Sequence, residues 1–280
     1  MIPALSVVIP AYGRQELLDQ CLTRLADQTL EPDRFEIIVV DDGSPSPLKV
    51  GGNARGLRQE NRGPAAARNY GVTEAQGEVV VFIGDDIQVP RDFLEVHAQF
   101  HQQRHSAWEG MLGRVDWPAE FLLDPYMNWL DRSGLQFGFH GLEPGQRLQY
   151  YHFYTSNISV KRATLLAFPF DEDFPQAAFE DADLGARLAE ADFRLYYEPR
   201  AHAEHRHFYT LEESCAHRRR VGQSARIFER KQPARAQFKW IKRYLPPLRW
   251  VAAMGWVGQD RYFYYRNSEA FWEGYHQGYP

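Results

Sequence analysis

Three short apolar-rich runs constrain this chain most. They fall at residues 5–9, 35–40 and 78–83, and each stops at a turn signal. The first ends at Pro10, the second at Asp41-Asp42-Gly43-Ser44, the third at Gly84-Asp85-Asp86. Between them the pattern changes period. Leu17, Leu18, Cys21, Leu22 and Leu25 recur at helical spacing and predict an amphipathic helix over residues 15–28. Residues 65–75 read as a close-packing helix of small side chains, and Phe93, Leu94, His97 and Phe100 share one face of another. Apolar strands separated by helices form a parallel sheet covered on both faces. Such sheets bind ligands beyond the carboxyl ends of their strands. The pairs Asp41/Asp42 and Asp85/Asp86 both fall there.

The second half is less regular. Strands are expected at 110–117, 155–161 and 194–198, with a helix over 180–190. From residue 211 onward, helix-like parts are broken by Pro233, Pro246 and Pro247 and read as an appendage. Charge divides the chain in the same place. Formal net charge is −5, yet Arg206 to Arg249 holds twelve Arg and Lys against three Glu. An acidic body therefore carries a basic segment, which argues against nucleic-acid binding by the body. Residues 238–279 contain 13 aromatics, among them Lys239 to Leu245 (KWIKRYL) and Leu248-Arg-Trp250. Basic residues beside Trp and Tyr suit an anionic membrane surface, or packing against the body or a second subunit. No apolar run approaches the ~20 residues of a membrane span. Two cysteines, Cys21 and Cys215, make no framework, and the N-terminus lacks a basic leader. The expected setting is cytoplasmic, with peripheral contact at the inner membrane face as an extension of that reading.

Several residue types invite chemistry. Adjacent carboxylates at a buried strand end, Asp85 and Asp86, repel unless a cation or donors offset them. A hard divalent ion shared with substrate phosphates does so. Asp41 and Asp42 can accept from a ribose or a base N–H, and Arg68 can pair with phosphate. Glu180, Asp181 and Asp183 open a helix, where the dipole keeps carboxylates ionised. One facing the cleft suits a general base. His202, His205 and His207 follow the strand at 194–198, and residues spaced by two share a face. Each feature alone is also what a solvated turn, a helix cap or a surface histidine looks like; their order is what joins them.

Read in order, the pieces resemble family 2 glycosyltransferases of the GT-A fold. The resemblance spans roughly residues 6–220. It runs through SVVIPAY at 6–12 with Arg14, VVDDGS at 39–44, NRGPAAARNYG at 61–71 and GEVVVFIGDD at 77–86. It continues with SNISV at 156–160, FEDADLGARL at 179–188 and AHAEH at 201–205. The resemblance implies an α/β fold, a Rossmann-like, mostly parallel sheet flanked by helices, with an aromatic, basic C-terminal helical extension. It implies a nucleotide-sugar-binding half at 1–105, an acceptor-binding and catalytic half at 106–210, and an extension at 211–280. Pro10, Ala11, Tyr12, Arg14, Asp41, Asp42, Arg68 and Asp85 would bind the nucleotide-diphosphate sugar. Asp86 and His205 would hold a divalent cation, Mn2+ or Mg2+. Asp181 would be the base, with Glu180 beside it. The usual Asp-x-Asp signature has its first position replaced by Gly84.

The implied reaction transfers a sugar to an acceptor hydroxyl, saccharide or lipid-linked, with inversion, in surface polysaccharide, glycolipid or glycoconjugate synthesis. Two rivals stay open at this level. A nucleotidyltransferase would carry a Gly-rich loop with Arg and Lys after its first strand, whereas this loop is Pro10 to Arg14 with one glycine. A non-catalytic sugar-nucleotide-binding scaffold would lose the aspartate pair or Asp181, and both are present. Trp108, Trp117 and Trp129 lie in or beside the acceptor half, where aromatic faces serve either sugar stacking or a core.

Overall fold

A computed structural model describes residues 2–236 and 258–278. Eight strands form one sheet: β1 (Leu5–Ala11), β2 (Phe35–Asp42), β3 (Ala54–Gln59), β4 (Val79–Ile83), β5 (Ile87–Gln88), β6 (Glu109–Asp116), β7 (Asn157–Lys161) and β8 (Arg194–His205). Their spatial order is β3-β2-β1-β4-β7-β6-β8-β5. The first four in that order are mutually parallel, as the apolar runs predict. β7 then enters antiparallel to both β4 and β6, β6 and β8 are parallel, and β5 closes the edge antiparallel to β8.

Helices cover the sheet: α1 (Gln15–Ala26), α2 (Pro64–Glu74), α3 (Phe93–Gln103), α4 (Pro125–Ser133), α5 (Arg162–Ala167), α6 (Glu180–Glu190), α7 (Leu211–Lys231) and α8 (Gln259–Gln277). α1 buries Leu18, Cys21, Leu22 and Leu25, four of the five positions that predicted it. The central strands are buried on both faces: Val7, Val8, Ile38, Val39, Val80 and Val81 lie in one core with Leu18, Phe93 and Ile158.

Three strands differ from expectation, one being the two-residue edge strand β5, too short for any pattern to announce. β3 is an edge strand whose Arg55 and Arg58 alternate with shorter residues, so no apolar run announces it. β8 continues seven residues past 198 to His205. A register shift lets it do so: Gly113 pairs with Glu198, but the next residue, Arg114, pairs with His202. The extra residues form a bulge around Pro199, which a regular ladder does not accommodate.

Registry then builds the site. Ala11 pairs with Asp41, Ile83 with Asn157, and Ile87 with His205. The last pairing sets a histidine nearly 120 residues downstream beside Asp86, and the Arg206 N–H donates to the Asp86 carbonyl at 2.8 Å.

α7 starts at a capping box: the Thr210 side chain accepts from the Glu213 N–H, and Glu213 accepts from the Thr210 N–H. α8 runs alongside α7 in the same direction, Ser214 meeting Asn267 at 2.8 Å and Arg219 meeting Glu273 at 2.7 Å. Phe263 packs edge-on against Tyr126 of α4, in a satellite core with Trp117 and Trp129. The described part of the aromatic appendage thus packs on the body. Lys239 to Leu245, Leu248 to Trp250, and Pro246 and Pro247 lie outside the described residues. Trp117 and Trp129 serve a core, and Trp108, 40% exposed, stands edge-on to Phe168.

Candidate active site

A cleft of about 810 Å³ opens beyond the carboxyl ends of β1, β2 and β4. It is lined by Pro10, Ala11, Tyr12, Arg14, Asp42, Arg68, Asp85, Asp86, Glu180, Asp181 and His205, among others. All but one of the residues given a donor-binding, cation-binding or base role from the sequence meet there. The exception is Asp41. Its carboxylate accepts from the Ser44 N–H at 2.9 Å, the Leu48 N–H at 3.1 Å and the Arg58 guanidinium. Burial opposes its charge, yet these donors hold its pKa below the usual range. Asp41 anchors the loop after β2 and does not line the cleft.

Asp42 lines the cleft and fixes the start of α2. It accepts from Gln59 Nε2 at 2.7 Å and from the Arg62 and Gly63 N–H groups, both at 2.9 Å. Gly63 has φ +90°, and a Cβ there would come within 2.5 Å of the Pro175 carbonyl oxygen. Only glycine meets both demands.

Arg14 bridges the acidic pair. Its guanidinium donates from Nε to Asp85 Oδ2 at 3.2 Å, again to Asp85 Oδ1, and from NH1 to Asp86 Oδ2 at 2.6 Å. His205 Nε2 lies 3.7 Å and His207 Nδ1 4.0 Å from the same Asp86 oxygen. Burial pushes Asp85 up in pKa, with Arg14 opposing. Burial also opposes charge on Asp86, but His205, Arg14 and His207 outweigh it and hold its pKa low. Burial keeps both histidines below their usual pKa. A carboxylate and two neutral imidazoles are a donor set that a divalent ion accepts. Among the described residues, however, no three such side chains form a ready-made metal cage. Protein and diphosphate oxygens would have to share the ion, and Arg14 would have to yield Asp86. Gly84 is part of this arrangement, since a Cβ there would sit 2.6 Å from Asp86 Oδ1.

The opposite wall is the first turn of α6. Phe179, just before it, takes a left-handed conformation at φ +68°, unusual for a bulky residue. Such strain persists only where surroundings impose it; here it turns the chain so that Glu180 and Asp181 enter the cleft together. Glu180 pairs with Arg68 at 2.8 Å, both side chains being buried. Among the described residues Asp181 forms no ion pair of its own. Burial first, then the neighbouring Glu180 charge, push its pKa up to about 7, with Arg68 opposing. Asp183 does not line the cleft; Arg187 at 2.8 Å and Gln232 at 3.0 Å occupy it.

The histidine series separates cleanly. His205 and His207 both line the cleft, whereas His202 pairs with Asp116 at 3.0 Å. Sequence reading did not assign Tyr151, Tyr154 and Ser156 to the cleft, nor Glu213, His217, Arg218 and Arg220 of α7. Only the basic surplus of that segment hinted at the last group.

Residues 6–111 match the family model described as glycosyl transferase family 2. That stretch is a glycosyl transferase family 2 region, covering β1 to the start of β6. The chain is 29% identical over 227 residues to validoxylamine A glucosyltransferase of Streptomyces hygroscopicus subsp. limoneus, covering 67% of this chain and 48% of that protein. It is 29% identical over 103 residues to glycosyltransferase AglE of Haloferax volcanii, covering 34% of each. The chain thus spans half or less of the length of these curated relatives. Solved structures share the fold. The mannosyltransferase PcManGT of Pyrobaculum calidifontis, in complex with GDP-Man and Mn2+, aligns with TM-score 0.65 at 17% identity, over 99% of this chain and 87% of that one. S. aureus TarS 1-349 in complex with UDP aligns with TM-score 0.57 at 17% identity, over 98% and 92%. The GT-A architecture expected from the sequence is therefore the one observed.

Proposed function

We propose that this protein is an inverting glycosyltransferase that moves a sugar from a nucleotide-diphosphate donor to an acceptor hydroxyl. One observation carries the reading: the cleft unites Asp42, Arg68, Asp85, Asp86, Asp181 and His205 from distant segments, with Asp42 held by Gln59 and two backbone N–H groups, Asp85 and Asp86 by Arg14, and Asp181 in no ion pair among the described residues. The complexes of PcManGT with GDP-Man and of TarS with UDP support a donor of this class.

In this reading Pro10, Ala11, Tyr12 and Asp42 hold the nucleoside, and Arg14 and Asp85 orient the ribose, phosphate or sugar. Arg68 acts mainly through Glu180, fixing the first turn of α6. Asp86 and His205 would hold a divalent cation, Mn2+ or Mg2+, which when bound neutralises the leaving diphosphate. Asp181 takes the proton of the attacking hydroxyl as its oxygen bonds to the anomeric carbon from the face opposite the departing diphosphate. That displacement inverts the centre. Tyr151 and Tyr154 flank the side from which the acceptor, a saccharide or lipid-linked sugar, approaches.

The test is release of nucleoside diphosphate from a panel of UDP- and GDP-sugars with Mn2+, with and without simple sugar acceptors. The product's anomeric configuration is then read by NMR. Transfer with inversion, lost in Asp181→Asn, is expected. Retention of configuration, or undiminished turnover in Asp181→Asn, would overturn the mechanism.

A further inference from the structure

Four arginines line the cleft: Arg14, Arg68, Arg218 and Arg220. Two are matched by carboxylates, Arg14 by Asp85 and Asp86 and Arg68 by Glu180. Among the described residues neither Arg218 nor Arg220 forms an ion pair. The Nε–H of Arg218 is buried with no acceptor. Burial lowers the Arg218 pKa to about 10, with only Tyr126 opposing. A buried cationic donor without an acceptor is costly, so a ligand that brings the acceptor gains by it.

Both cations line the cleft from α7, Arg220 on the face that carries Glu213 and His217 and Arg218 from a different face. Glu213, His217 and Arg220 follow i, i+4, i+7 spacing on α7 and face the cleft together. The Tyr209 ring joins them to the acidic pair, with its centroid 6.2 Å from the His217 ring and 4.4 Å from the His207 ring. Burial, then Arg218 and Arg220, hold the His217 imidazole neutral. A neutral imidazole still carries one N–H to donate.

We propose that Arg218 and Arg220, with His217, form a phosphoryl-anion site on the α7 wall of the cleft, beside Asp86 and His207. A guanidinium fork matches two non-bridging phosphate oxygens, and each of the two arginines offers such a group a charged donor not claimed by a carboxylate among the described residues. The anion is either the donor's diphosphate or a phosphate carried by the acceptor; this choice of sources rests on the transferase reading, whereas the site itself does not.

Calorimetric titration with inorganic pyrophosphate, in EDTA to exclude metal, tests the site. UDP, GDP and glycerol 3-phosphate are titrated in parallel into wild type, Arg218→Gln, Arg220→Gln and Arg219→Gln. Arg219 lies on the same helix but pairs with Glu273, and serves as the control. Arg220 is exposed, so its variant keeps the test valid if Arg218→Gln fails to fold. Pyrophosphate binding is expected to weaken tenfold or more in each cleft variant and to be unchanged in the control. Parallel loss of UDP or GDP affinity assigns the donor diphosphate. Retained nucleotide affinity, with loss of glycerol 3-phosphate binding to nucleotide-saturated protein, assigns the acceptor. Wild-type protein that binds neither pyrophosphate nor glycerol 3-phosphate, or cleft variants within twofold of wild type for both, would overturn the site. Pyrophosphate binding through these residues without any sugar transfer would instead sink the transferase reading and leave the site standing.

Discussion

The acid limb of the pH–rate profile tests the base assignment most directly. Asp181 is raised from 3.8 to about 7, first by burial and then by Glu180. A base acts only when ionised, and kcat/KM reports the free enzyme's ionisation. Half of the protein is then competent near pH 7, about nine-tenths near pH 8 and about one-tenth near pH 6, a limb of unit slope. Glu180→Gln perturbs one cause alone. It removes the like charge beside Asp181 and leaves the Arg68 charge uncompensated, and both changes favour ionised Asp181. The glutamine oxygen keeps an acceptor for Arg68 NH1, which Glu180 Oε1 binds at 2.8 Å. The limb should move to lower pH, so that at pH 6 the variant keeps a larger share of its plateau rate than wild type does. Asp181→Asn should lose about 10²–10⁴ in rate and show no such limb. The assay is kcat/KM from pH 5 to 9 in constant ionic strength, with folding checked at each pH. A wild-type profile flat through pH 6–8, or a limb unmoved by Glu180→Gln, would refute the reasoning.

Three further outcomes are expected. Arg14→Gln removes the cation shared by Asp85 and Asp86 and should tighten Mn2+ binding in nucleotide-free protein, measured by electron paramagnetic resonance; equal or weaker binding would show that Arg14 does not compete for the pair. His97 and His101, buried around Ser159, are held down to about 3 by burial, so the unfolded state alone gains their protons between pH 6.5 and 3. Unfolding free energy should therefore fall as pH drops through this window, by about 1.4 kcal/mol per pH unit for each histidine, and urea melts of His97→Gln should show a shallower fall. Gly63→Ala meets both a left-handed φ and the Pro175 carbonyl, and should cost on the order of 1–3 kcal/mol while weakening nucleotide binding through Asp42; a thermal melt and titration matching wild type would contradict the geometry.

The local signals were legible because they are local. Val7, Val8, Val39 and Val81 had to be buried wherever the sheet lay, and the turns that stop those strands had to hold the aspartates at one end of it. Apolar spacing alone announced α1 and α6. Where charge interrupts a pattern, the sequence is silent: β3 hides behind Arg55 and Arg58, and β8 reads as ending at Glu198 until the bulge carries it to His205.

Partner choice was decided by tertiary structure. Asp41 and Asp42 are neighbours in the chain, yet the loop after β2 consumes the first and the cleft takes the second. His202, His205 and His207 look equivalent in sequence. Register sets His202 opposite Arg114, within reach of Asp116, and His205 opposite Ile87 beside Asp86, because strand pairing fixes which neighbours each side chain meets. The basic surplus after Arg206 was visible as a number, but arithmetic does not say which charges are matched. Folding α7 against the cleft, with α8 packed behind it, leaves Arg218 and Arg220 lining the cleft with no ion pair among the described residues. Composition and periodicity depend on nearest neighbours along the chain; the matching of buried charges depends on neighbours in space, and only the packed structure supplies those.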